Sequence, residues 1–320
     1  MGRRKRGRGV SGILLLDKPA GLSSNGALQR VRHLFDAAKA GHTGSLDPLA
    51  TGVLPVCFGE ATKFTQYLLD ADKAYSATFC FGVTTTTGDG DGEVIAEQDA
   101  SGLTREQVAA AMAGFRGDIL QVPSMYSALK RDGQPLYKLA RQGIEVERKP
   151  RPVTIYSYEL AAFRPGPRGE ADMVIRCSKG TYVRSLAEDL GRELGCGAHV
   201  ARLRRTSVAG FDVADATTLE HLQQLREAGG VEALDALLKP VDIAVDHLLA
   251  VHLDGHTAWY FRRGQPVVAG GAYRDGAEGD IVRVFEDDGR FLGLGEVLED
   301  GRLAPRRLIV EDQAGGALSG

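Results

Sequence analysis

A chain of 320 residues, 43% hydrophobic and 25% charged, can bury a substantial core, and its length suits one large domain plus a small one, or two of medium size. Its four cysteines, Cys57, Cys80, Cys177 and Cys196, show neither C-x-x-C nor zinc-finger spacing, so nothing suggests a disulfide framework or a structural metal, and a reducing cytosol fits best. The formal net charge of −3 argues against an overall electropositive nucleic-acid binder, yet residues 241–320 hold 14 acidic and 8 basic side chains, which leaves 28 acidic and 31 basic in residues 1–240.

The chain opens on a basic stretch, MGRRKRGR, and residues 1–9 read as a flexible terminus. The apolar run Ile13–Leu16 is too short for a signal peptide and ends at Asp17, Lys18 and Pro19; no stretch approaches the roughly 20 apolar residues of a membrane helix. No membrane role and a cytoplasmic location are therefore expected. Ser23, Ser24 and Asn25 give a cap signal for a helix carrying Leu28, Val31, Leu34 and Phe35 at helical spacing. Tyr75–Gly82 reads as a strand that leads through a Thr/Gly/Asp-rich loop at residues 84–92 to a short return at Glu93–Ile95. Thr104 with Gln107 three residues on predicts a capping box.

Residues 121–152 differ in character. Four prolines punctuate them, and Lys130, Arg131, Lys138, Arg141, Arg148, Lys149 and Arg151 outnumber Asp132, Glu145 and Glu147, with Tyr126 and Tyr137 interleaved. A solvated loop with a short helix and an RNA contact both fit this pattern. Val153–Phe163 and Ala171–Cys177 read as strands flanking a turn at residues 165–169, and Tyr182–Leu194 and Leu219–Leu238 as helices. Beyond Pro240 the chain changes to short strands and acidic turns, with strands expected at Val267–Val268, Ile281–Phe285, Phe291–Leu298 and Leu308–Val310. A boundary near residue 247 divides a mixed α/β domain at 10–246 from a small β-rich domain at 247–312. A Gly/Ala/Ser-rich tail at 313–320 is expected to be disordered.

Asp47 stands in the loop GSLDPLATG at residues 44–52. Gly44 and Gly52 permit tight turns, and Pro48 biases Leu46 and Asp47 away from helix, so a loop presents the carboxylate. By itself an Asp-Pro here is better explained as a turn residue capping backbone amides than as a reactive group.

The surroundings change that balance. The run from Gly41 to Pro55, GHTGSLDPLATGVLP, resembles the catalytic motif of the TruB family of tRNA pseudouridine synthases. Further family blocks follow in order: LDKPAGLSS at 16–24, ATK at 61–63, KAY at 73–75, YSALK at 126–130, CSKGTYVR at 177–184 and LRRT at 203–206. The resemblance is close over residues 10–240 and loose beyond. It implies an α+β pseudouridine synthase fold with a mixed, largely antiparallel sheet, an insertion at 124–152 that clamps the tRNA T-arm, and a small PUA-like C-terminal domain.

It also implies a reaction: the uridine at position 55 in the T-loop of tRNA is isomerised without cofactor or metal. The N1–C1′ bond breaks, the uracil turns, and C5 bonds to C1′, with Asp47 as nucleophile. Arg184 matches the arginine that keeps this carboxylate charged and aimed, a task suited to a bidentate guanidinium. Tyr75 matches the tyrosine that stacks on the target base and is a candidate for proton transfer. Tyr182 and Leu203 match positions lining the uracil pocket, and His42 the histidine that meets the flipped nucleotide. Lys18 and Lys63 lie in matched blocks and are expected to touch phosphates or brace the catalytic loop. Ser124 and Thr86 depart from the family's usual proline and acidic residue, which concerns local loop shape only.

Other readings stay open at this level. A related RNA-guided class would need a guide RNA and protein partners, whereas the basic 124–152 segment favours stand-alone action with neither. A non-catalytic RNA-folding protein would leave Asp47 a turn residue. A glycosidase or nucleosidase would need a second carboxylate about 5 to 10 Å from Asp47, with Arg184 turned away.

Overall fold

The computed structural model describes residues 7–269 and 276–310. Most of the expected flexible terminus and all of the expected tail lie outside them. Within the former, Arg8 is fixed: its Nη1 donates to Asp235 Oδ2 at 2.6 Å and its Nε to Phe35 O at 2.7 Å.

Strand β1 (Gly12–Lys18) is buried on both faces and leads to α1 (Ser24–Leu34), whose cap Ser23 accepts from Gly26 N as its sequence position predicts. Strands β2 (Ala40–His42) and β3 (Thr51–Phe58) flank the loop carrying Asp47. After α2 (Thr65–Asp70) come β4 (Lys73–Phe81) and a hairpin of β5 (Val83–Thr85) with β6 (Val94–Glu97). Helix α3 (Arg105–Met112) starts at the predicted box, with both Thr104 and Gln107 bonds present. Strand β7 (Gly117–Gln121) precedes the basic segment, which holds only a tiny hairpin of β8 (Lys130–Arg131) and β9 (Gln134–Pro135) and the one-turn helix α4 (Leu136–Ala140). Then follow β10 (Arg151–Arg164), β11 (Glu170–Cys177), α5 (Val183–Glu193), β12 (Ala198–Val208), β13 (Phe211–Asp212) and α6 (Leu219–Asp235), broken at Gly230.

Apart from the two hairpins β5-β6 and β8-β9, these strands form one sheet in the order β1-β3-β12-β4-β11-β10-β7, with β2 added to β3 and β13 to β12. Every pairing in it is antiparallel except β3 with β12, which run parallel where Thr51 meets Arg204 and Gly52 meets Arg205. This is the mixed, largely antiparallel α+β fold expected. Helices α1, α3, α5 and α6 cover one face and share a core that includes Val31, Phe35, Phe79, Phe81, Leu186 and Leu222.

The C-terminal part is a second sheet, β14 (Ala250–Leu253), β16 (Ile281–Glu286), β17 (Phe291–Val297), β18 (Arg302–Leu308) and β15 (Val267–Val268) in spatial order, with α7 (Gly255–Phe261) packed on it. The last strand, expected at Leu308–Val310, lies earlier at Arg302–Leu308, because Arg302, Arg306 and Arg307 mask its inward Leu303 in the sequence. Strand β14 and helix α7 were not anticipated; at four and seven residues each is too short for its periodicity to stand out.

Ile13, Leu15, Val53 and Phe64 form a further apolar cluster that includes Leu294 and packs against Phe291 of the second sheet. A polar clasp reinforces the junction: Glu60 Oε2 accepts from Val310 N at 2.7 Å, and Lys63 Nζ donates to Leu308 O at 2.8 Å. Lys63 therefore braces the C-terminal sheet and not the catalytic loop, a correction to its expected role.

Candidate active site

The loop between β2 and β3 is pinned at almost every residue. Ser24 Oγ accepts from Leu46 N at 2.7 Å and donates to Leu46 O at 3.0 Å. Gly21 N donates to Pro48 O, Thr43 N to Pro55 O, and Ala50 N to Asp47 O. The last bond closes a main-chain turn at Asp47, so the residue does form a turn, and its backbone makes it. The side chain is left free for other work.

Lys18 is fully buried, and its Nζ donates to Pro19 O and Leu22 O at 2.8 and 2.6 Å and reaches Pro48 O at 3.5 Å. Burial brings this ammonium down to about 8, with Asp47 opposing the change. Its two short bonds run to the backbone between β1 and α1, and only the long one reaches the catalytic loop.

Arg184, the second residue of α5, is 4% exposed and meets the carboxylate along its edge: Nε lies 2.9 Å from Asp47 Oδ2, and Nη2 donates to Oδ1 at 3.3 Å. The remaining donors go to Thr87 O and to Tyr126 O at the root of the basic segment, both at 2.9 Å. Asp47 keeps one open side, its side chain being 37% exposed. Burial raises its pKa above the ordinary carboxylate value and Asp89 adds to the effect, while Arg184 and Lys18 oppose them.

Asp89 escaped sequence reasoning. It is buried beneath the Thr/Gly/Asp-rich loop, accepts from Thr87 Oγ1 and Asp91 N, and lies 3.8 Å from Arg184 Nε. It is a second carboxylate near Asp47, as a two-carboxylate glycosidase would need. Arg184, however, pairs with Asp47 instead of pointing away, and so the condition for that alternative fails.

The other expected site residues fall on neighbouring elements. Tyr75 on β4 is nearly buried, and Asp47 is one of the charges acting on it; burial raises its phenol pKa, and Arg205 opposes that. Leu203 on β12 sits opposite Ala77, half-buried against the core. Tyr182 caps α5, its main chain held by Gln121 through N to Oε1 at 2.7 Å and Nε2 to O at 3.0 Å. Its ring lies within the field of both Arg184 and Asp47. His42 on β2 stands half-buried with Nδ1 lacking a partner among the described residues, and burial lowers its pKa, with Arg205 adding to the effect. A neutral ring with a spare polar atom suits a nucleotide contact more than proton chemistry.

Arg205 is the second residue that sequence reasoning passed over, although it lies in the LRRT block. It is 1% exposed, donates from Nε to Val53 O at 2.8 Å and from Nη2 to Gly44 O at 3.0 Å, and stands opposite Tyr75 across the strand pair. One guanidinium thus ties both stems of the Asp47 loop. Its signal was an arginine at a position whose alternation points inward.

Among the described residues no group of three or more His, Cys, Asp or Glu could hold a metal, and no helix is long and apolar enough to cross a membrane.

A similar architecture occurs in the archaeal box H/ACA sRNP Nop10–Cbf5 complex, with a TM-score of 0.67 at 24% identity over 93% of this chain and 85% of that one. At that identity the likeness defines the fold. The sequence narrows this further: the TruB family N-terminal domain matches residues 32–183, the tRNA pseudouridylate synthase B C-terminal domain 184–246, and the pseudouridine synthase II TruB C-terminal domain 250–309. The tRNA pseudouridine synthase B of Saccharophagus degradans is 59% identical over 97% of this chain and 99% of its own length, and that of Stutzerimonas stutzeri 61% identical over 94% and 96%. The chain belongs to the TruB family of tRNA pseudouridine synthases.

Proposed function

We propose that this protein converts uridine to pseudouridine at position 55 in the T-loop of tRNA, in the cytoplasm with its substrate, and without cofactor, guide RNA or partner protein. The observation that carries the reading is the edge-on pairing of Asp47 with Arg184 in a chain of this family. The guanidinium keeps a partly desolvated carboxylate ionised and aimed, as attack on an electron-deficient sugar carbon requires. Tyr75, Tyr182 and Leu203 receive the uracil, and His42 meets the opened RNA, offsetting part of the few kcal/mol that flipping costs.

On this reading residues 10–246 are the catalytic domain, with 124–152 as a clamp whose phosphate contacts position the T-arm, and 247–312 are a PUA-like module. Tyr126 O on Arg184 supports the clamp, since it joins that segment to the catalytic charge. Asp47→Asn on T-arm RNA is the test: lost turnover with retained binding is expected, and unchanged pseudouridine formation would sink the assignment. Binding and remodelling of tRNA through the same clamp would survive the substitution.

A further inference from the structure

Arg205 carries a charge that nothing ionic balances. Among the described residues no carboxylate lies within ion-pair distance of it; its hydrogen bonds go to two backbone carbonyls, and the Tyr75 phenol lies within its field. Strand register places the two together: Arg205 on β12 sits directly opposite Tyr75 on β4. A dry guanidinium is costly unless some nearby group profits from the positive field.

We propose that Arg205 is the positioning residue for a proton relay at Tyr75, orienting the phenol oxygen and supplying the counter-charge when that oxygen is transiently a phenolate. This rests on the reading of Tyr75 as the proton-transfer group. The isomerisation moves one proton from C5 to N1 with no net gain or loss. N1 leaves C1′ with the bonding electron pair and takes the phenol proton. After C5 has bonded to C1′, the phenolate takes the C5 proton, the C–H pair returns to the ring, and the tyrosine ends as it began.

The groups acting on Tyr75 from neighbouring elements are Arg205 on β12, Cys177 on β11 and Asp47 in the catalytic loop. Burial raises the phenol's pKa, and Arg205 is the chief opposing influence.

The experiment compares Arg205→Gln, Arg205→Lys, Tyr75→Phe and the Tyr75→Phe/Arg205→Gln double variant in single-turnover reactions on T-arm RNA. Tyr75 is titrated in parallel by NMR of ring-labelled tyrosine. Arg205→Gln is expected to lower the rate at least tenfold with RNA affinity within twofold and to move the Tyr75 midpoint upward. In the Tyr75→Phe background the same change should cost less than threefold. An unmoved midpoint, or equal losses in both backgrounds, would overturn the proposal and leave Arg205 a brace for the loop. Full activity of Tyr75→Phe would remove the underlying reading instead. If Arg205→Gln does not fold, Arg205→Lys carries the test: a rate loss that disappears in the Tyr75→Phe background supports the relay, and an equal loss overturns it.

Discussion

Arg184 serves two carboxylates with one nitrogen, its Nε lying 2.9 Å from Asp47 Oδ2 and 3.8 Å from Asp89 Oδ2. Asp89 is buried and tied into its own loop, whereas Asp47 is open to the cleft. The cation therefore stands between a buried carboxylate and one that faces the cleft.

Arg184→Lys keeps a charge but loses the fork. The ammonium cannot meet both Asp47 oxygens while also serving Thr87 O and Tyr126 O, so single-turnover rates should fall by about 10²- to 10³-fold, a loss typical of removing a preorganised electrostatic contact. RNA affinity should change little. A rate within threefold of the parent would contradict the assigned role.

Asp89→Asn gives a prediction with a definite sign. Asp89's negative charge raises the Asp47 pKa, so its removal lowers that pKa. The acid limb of the rate profile, where Asp47 becomes protonated and inactive, should shift to lower pH, leaving more activity in mild acid relative to the plateau. Profiles that superimpose would show that Asp89 does not couple to the nucleophile.

Gly52→Ala should cripple the site from a distance. At φ 105° an added Cβ would stand 2.1 Å from Arg205 O, in a backbone region that side chains rarely adopt. Strain and overlap together should cost about 3 kcal/mol or more, read as a lower melting temperature along with lost turnover.

Tyr158→Phe should do the reverse. Its hydroxyl is buried without a partner among the described residues, beside Phe79 in the main core. Removing an unsatisfied polar atom at constant shape should stabilise the fold by roughly 1 kcal/mol, with turnover unchanged. A melting point that falls would mean the hydroxyl is satisfied.

Much of this was legible in the chain. The cap at Ser23, the box at Thr104 and Gln107, and the long strands around Tyr75 and Ala171–Cys177 announce themselves because caps and two-residue alternation are local. Asp47 was ambiguous on its own, and the structure explains why: its main chain makes a turn while its side chain meets Arg184, so both readings describe the same residue. Asp89 and Arg205 were missed because their roles depend on chain 95 and more residues away, Asp89 through Arg184 and Arg205 through Gly44 and Val53. Lys63 was misjudged because its partner lies 245 residues off.

The single parallel joint in the sheet, β3 against β12, bears on how the enzyme comes into being. Asp47 is made early in synthesis, but the strand that closes its loop and the helix that carries its counter-charge come some 140 to 160 residues later. No hairpin can join such distant strands, so the pairing must await most of the domain, the slow kind of step in folding. A nascent chain halted before Arg205 would hold Asp47 in a loop lacking that guanidinium. Truncated products should therefore be inert toward RNA, and the ability to break a glycosidic bond should arrive late and all at once.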